Sequence, residues 1–245
     1  MSDEPKHLPV PGDLTASPIG KVVLAISWLV FVTLMMAITS APSVLLLMFL
    51  NPEVPGAITN ALIVILALAF LGPALSAGLY AARARTTDEV QAPAKAFWRG
   101  YRMNFFDVLR FWFPASIVVG VMIYSIGVAT ALGMGIGIIA LVAILVALAI
   151  IALHALALAT FINMSTGGIV RLALLYLGRS WKTSLAVLAL IIVAGGIAGF
   201  VPGGIFAVVV ASGLWIAFWY QQVKPMIADA TANYTVQGQA PHDAV

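Results

Sequence analysis

The chain of 245 residues contains no cysteine, which removes disulfides, thiolate nucleophiles and cysteine-ligated metal centres from consideration. Charge is nearly as scarce: only 9% of residues are Asp, Glu, Lys or Arg, against roughly 25% in a soluble domain. With 62% hydrophobic residues and a mean hydropathy of +1.08, no water-facing surface of ordinary composition can be built. Carboxylate pairs, paired histidines and an HExxH motif are missing from the apolar stretches, so zinc and two-metal hydrolysis lack ligands. No GxSxG elbow occurs. Gly133, Gly135 and Gly137 imitate a nucleotide loop, but no strand precedes them and no lysine follows, so a phosphate-binding role fails. The expectation is a protein that is not an enzyme and carries no cofactor.

Long apolar runs are what remain. A membrane-spanning helix takes about 20 such residues, and six stretches qualify, at 21–50, 57–82, 111–132, 135–164, 183–201 and 205–221. They predict an all-α, polytopic membrane bundle, with tails at 1–20 and 223–245. The first stretch would extend about 45 Å as a helix, against a hydrocarbon core of about 30 Å. Pro42 inside it predicts a kink or a separate segment over 44–50. Lys21, the apolar run and Thr39-Ser40-Ala41 resemble a signal peptide, but the run continues past that point and Pro42 would follow the cut. An uncleaved anchor is expected.

The twelve lysines and arginines fall in four regions: the two tails, the segment between the second and third spans, and that between the fourth and fifth. Six spans put all four on one side. The other connections hold only Glu53, so the positive-inside rule makes both termini cytoplasmic. The basic balance is a topology signal and not a nucleic-acid footprint.

Two charged segments carry amphipathic patterns. In 93–110, Phe97, Tyr101 and Phe105 recur every four residues, with Lys95, Arg99 and Arg102 elsewhere on the wheel, which predicts a helix lying in the interface. Tyr176, Arg179, Trp181 and Lys182 repeat the theme in 171–184. Such helices either anchor in lipid headgroups or dock a partner, for which Trp98, Arg99, Tyr101, Arg102, Asp107, Arg179 and Lys182 are the candidates. The two helix hairpins (spans two–three and four–five) either form a weak internal repeat, with Arg102 and Arg179 as counterparts, or share no more than a common composition.

Within the spans, His154 is the one ionisable side chain, and such groups are functional candidates. It is either a relay or substrate contact, or a neutral imidazole bonded to a neighbouring helix. Gly72-Pro73, followed by Ser76 and Tyr80, marks either a kink or a transport site. With Asn60 and His154 these residues would line a polar route. Gly195, Gly199 and Gly203, four apart, suit close packing inside the bundle or a homodimer seam. Asp88 and Glu89 read as a solvated couplet beside Arg85.

The stretches LGPALSAGLYAARAR (71–85) and AKAFWRGYRMNFFDVLRFW (94–112) resemble the YesL family of bacterial membrane proteins, in the style of high-GC Gram-positive members. The resemblance extends over the first helix and 171–182. A departure is the long interval between Pro42 and Gly72. The resemblance implies a bacterial plasma-membrane protein without agreed catalytic or binding residues, associated with carbohydrate ABC transporters. An accessory or assembly factor for such an uptake system is the expected function, its partners being membrane lipids and transporter subunits. The alternative is a small transporter or channel.

Overall fold

The computed structural model describes residues 17–51, 53–86 and 92–234. Among these every regular element is helical: α1 (Pro18–Leu47), α2 (Ile58–Thr86), α3 (Pro93–Ala131), α4 (Gly135–Phe161), α5 (Thr166–Arg179), α6 (Trp181–Phe200), α7 (Gly204–Val210) and α8 (Ser212–Tyr234). Five helices are long and apolar enough to cross a membrane, and α7 with α8, bent by 61° at their junction, are so only as a pair, which makes six if the two form one span. The protein is thus an all-α, multi-pass helical bundle.

α1 starts at Ser17, whose hydroxyl accepts from the Gly20 N–H at 2.9 Å, with Pro18 in the first turn where its missing donor costs nothing. Pro42 does not end the helix, which continues as one element to Leu47. Proline is tolerated in lipid where hydroxyls supplement the backbone. Here Thr39 Oγ1 and Ser40 Oγ donate to the carbonyls of Met35 and Met36 at 2.8 and 2.6 Å. One stripe of α1, Trp28, Val32, Met36, Ser40 and Ser43, faces the bundle, and most of its remaining apolar side chains face outward.

α2 is the central helix. From Gly72 to Leu79 every residue is buried, and the small side chains Ala74, Ala77 and Ala81 let neighbours close around it. The large side chains filling the centre are Phe97, Leu156, Leu158, Tyr176, Ile216 and Trp219, all fully buried.

α2 and α3 pack closely through glycines, three from α3 (Gly100, Gly120 and Gly127), Gly72 from α2 and Gly56 from the turn before α2. A Cβ on Gly127 would run into the backbone of Gly56 and Pro55, and one on Gly120 into Ile65. One on Gly72 would strike the Trp112 indole, and one on Gly100 would meet Tyr80 Cβ at 2.6 Å. Gly56 is required twice, because it also turns the chain at φ 84°.

The interfacial helix expected over 93–110 is instead the first half of α3. At 39 residues α3 is about 58 Å long, nearly twice the hydrocarbon thickness. The side bearing Phe97 and Gly100 packs inside the protein, Phe97 being buried and Gly100 pressed against α2, while Trp98 and Phe106 stay exposed. Periodicity reveals an apolar face but not what covers it. α5, by contrast, is a separate amphipathic helix, divided from α6 by Ser180 alone.

The C-terminal segment also differs from expectation. α8 does not stop near Gln221 but runs to Tyr234, because Tyr220, Val223, Met226 and Ala230 continue a buried stripe. At the α7–α8 break the Gly213 N–H donates to Thr33 Oγ1 at 3.2 Å, so a backbone donor freed by the bend is satisfied by α1. Gly195 and Gly199 meet nothing within 4 Å, so they do not serve as a packing seam inside the bundle, and neither does Gly203, in the turn after α6.

Candidate functional site

The cationic side chains gather at one end of the bundle, where the C-terminal parts of α2 and α4, the N-terminal parts of α1, α3 and α6, all of α5 and the second half of α8 meet. There a cavity of about 200 Å³ opens between α2, α3, the end of α4 and the start of α5. Tyr80, Arg83, Asn104, Asp107, Arg110 and Thr160 contribute its polar lining from the first three of these, and Asn163, Ser165 and Thr166 contribute it from the α4–α5 connection.

Its floor is a directional chain of hydrogen bonds. Thr160 Oγ1 donates its single proton to the Leu156 carbonyl at 2.8 Å, so at the 2.9 Å contact with Ser76 it is the serine hydroxyl that donates. Ser76 Oγ in turn accepts from Asn104 Nδ2 at 3.1 Å. Three helices are thereby tied by groups that burial forbids to remain unpaired. At the rim Asp107 and Arg110 form an exposed ion pair at 3.3 Å, and the Arg83 guanidinium lies 5.2 Å from the centre of the Phe161 ring.

The residues expected along a polar route are not brought together. Ser76 and Tyr80 belong to the charged end. Asn60 stands at the opposite end, where Oδ1 accepts from the Asn51 N–H and Nδ2 donates to the carbonyls of Asn51 and Val54, closing the α1–α2 turn. Gly72 and Pro73 adjoin no opening: the Trp112 ring fills the space over Gly72, and its Nε1 donates to the Leu68 carbonyl at 2.7 Å. That carbonyl is the neighbour of the Ala69 carbonyl, which Pro73 leaves without its usual donor. His154 is fully buried; Nδ1 is 2.9 Å from the Ile150 carbonyl one turn back, and Nε2 has no partner. Its bond is within its own helix, not to a neighbouring one. An imidazole that leaves one buried nitrogen unsatisfied adds little stability. His154→Leu is therefore expected to hold or raise the unfolding temperature in detergent, and a loss above about 2 kcal/mol would refute that account.

The proposed contact residues divide four ways. Trp98 and Tyr101 stack at 5.6 Å and 10° on the projecting half of α3, beside the exposed Arg102 and half-buried Arg99. Asp107 lines the cavity. Arg179 is held by α8: its Nη2 lies 3.2 Å from Asp229 Oδ1, while Asp229 Oδ2 accepts from the buried Tyr176 hydroxyl. Burial first, and then the Asp229 carboxylate, push the Tyr176 phenol well above its ordinary ionisation range. Lys182 is exposed at the start of α6, 5.9 Å from the Trp181 ring. Asp88 and Glu89 lie outside the described residues.

Asn104, Thr160, Asn163 and Asp229 were not legible as site residues. Asn104 and Thr160 meet Ser76 across 28 and 84 residues, separations no local spacing encodes. Asp229 had a usable signal, the apolar stripe that continues past 221. Among the described residues, no group of three or more metal-ligating side chains occurs. No family model matches the chain, and no curated protein or solved structure does either.

Proposed function

We propose that this chain is a YesL-like accessory or assembly factor of a carbohydrate uptake system in a bacterial plasma membrane, with its charged end and both termini in the cytoplasm. The observation that carries the docking role is the length and rigidity of α3. Its first half extends beyond a single bilayer crossing and is braced against α2 where Gly100 meets Tyr80. That holds Trp98, Tyr101, Arg99 and Arg102 on a fixed support, the kind of preorganised aromatic and arginine patch that docking surfaces favour. The resemblance of 71–85 and 94–112 to the YesL family supplies the association with carbohydrate transport.

The alternative, transport by this chain itself, has less in its favour. Of Asn60, Gly72, Ser76, Tyr80 and His154 only Tyr80 lines the cavity at the charged end, and the Trp112 ring fills the space over Gly72.

Affinity purification from native membranes in mild detergent tests the proposal. Wild type is expected to recover transporter subunits, and Arg99→Glu/Arg102→Glu to lose them by more than about tenfold while eluting as a folded protein. Recovery of wild type alone, under conditions that preserve known membrane complexes, would refute the accessory role.

A further inference from the structure

We infer that the cavity at the charged end is a binding site for a phosphate-type anion, either a phospholipid headgroup or a free phosphate ester. Several independent features of this pocket agree. Among the described residues two arginines, Arg83 from α2 and Arg110 from α3, line it together with one carboxylate, Asp107. The Asp107–Arg110 pair at 3.3 Å is exposed on both sides, with side chains 65% and 75% accessible, so it holds Arg110 weakly and leaves it able to turn to an incoming anion. Guanidinium groups match phosphate oxygens in a bidentate fork. The amides of Asn104 and Asn163 add neutral donors.

The opposite wall is the start of α5. Ser165 caps this helix, its Oγ accepting from the Gly168 N–H at 3.3 Å, which leaves the N–H groups at Thr166 and Gly167 directed outward from the first turn. The end of α4 also adjoins the cavity and brings the negative end of its dipole; Arg83, over the Phe161 ring, stands against it.

Size and surroundings narrow the ligand. About 200 Å³ corresponds to roughly seven waters at about 30 Å³ each, enough for a phosphodiester with a glycerol unit but not for an acyl chain. Met103, Phe161, Ile162, Met164 and Ile169 supply apolar wall, and Phe106, one turn from Arg110, is 71% exposed. An anion seated here has lipid within reach of its non-polar part. Basic pockets between helices at this depth suit anionic headgroups.

The full chain in a neutral detergent would be examined by native mass spectrometry with phosphatidylglycerol, phosphatidylcholine or inorganic phosphate added. Wild type is expected to retain phosphatidylglycerol at least about tenfold better than phosphatidylcholine. Arg83→Gln/Arg110→Gln should lower that retention roughly tenfold to thirtyfold, at about tenfold or less per cation. Because the double variant could fail to fold, Thr166→Asp is the second probe. A carboxylate in the first turn suits the helix dipole, so α5 should stay intact while the site repels anions. Lys95→Gln/Lys224→Gln, which removes two exposed cations elsewhere, should leave retention within about twofold. Equal loss in that control, or undiminished retention by Thr166→Asp, would overturn the inference. Displacement of the lipid by millimolar inorganic phosphate would assign the site to a free phosphate ester; resistance to it would assign the site to the headgroup.

Discussion

Gly127→Leu is expected to destabilise the bundle by at least about 3 kcal/mol, the largest effect of any single substitution in the spans. The atoms in the way are the backbone of Gly56 and Pro55, in a turn that Gly56 holds at φ 84°. Side chains can change rotamer to admit a new carbon, whereas backbone in a tight turn cannot move without separating α2 from α3. The same substitution at Gly195 serves as the control. Nothing lies within 4 Å of a Cβ there, and an added apolar side chain faces lipid, so a change within about 0.5 kcal/mol is expected. Thermal unfolding of the two variants in one detergent decides the matter. Equal stability of both would mean that the α2–α3 seam is not what holds these helices together.

Asp229→Ala should cost about 2 kcal/mol, chiefly because it strands one buried donor, the Tyr176 hydroxyl, while the half-exposed Arg179 keeps its access to water. The Tyr176 hydroxyl is buried without access to water, and Arg179 loses the carboxylate at 3.2 Å that ties α5 to α8. Tyr176→Phe removes the hydroxyl but leaves Asp229 with Arg179 and with Asn233 Nδ2 at 2.9 Å, so a smaller loss of about 1 kcal/mol is expected. The pair also has a pH signature. The folded state raises the Tyr176 ionisation above that of an unfolded tyrosine, which titrates near 10. Its stabilisation is therefore complete below about pH 10 and lost as pH climbs beyond it, since only the unfolded chain then releases the proton. Wild type should lose unfolding temperature above pH 10 more steeply than Tyr176→Phe, with parallel curves between pH 7 and 9. Parallel curves throughout would remove the phenol from the linkage.

The spans could be read from composition because lipid imposes one demand on each segment separately: about 20 apolar residues and no stranded backbone groups. That demand fixes the existence of α1 to α4 and α6 and places the turns after α1, α3 and α6 near their observed positions, but not the start of α3 at Pro93 or the end of α8 at Tyr234. It does not specify which helix lies beside which. The α2–α3 seam illustrates the difficulty. Its glycines, Gly56, Gly72, Gly100, Gly120 and Gly127, are divided between two helices and the turn before α2, so neither helix shows a compact small-residue repeat, whereas the visible repeat at Gly195 and Gly199 packs against nothing. The polar groups behaved similarly. Ser76 and Tyr80 stood out beside Gly72-Pro73 in the chain, but their neighbours in space are Thr160 and Gly100, on other helices. His154 stood out by rarity alone, and its one bond stays within its own helix.

The junction of Gly213 with Thr33 joins residues 180 positions apart, and it bears on how the protein is made. α2 and α3 are joined by a short connection and can pair as soon as both have left the ribosome, since closing a short loop costs little entropy. α8 follows all the other helices described here in the chain and packs against α1, α2, α4 and α6. Until it arrives, the places of Ile216, Trp219 and Val223 stay open among helices already inserted. Completion of the bundle therefore waits for α8, and nascent chains ending before it are the form in which quality-control proteases of the membrane would find an unfilled core.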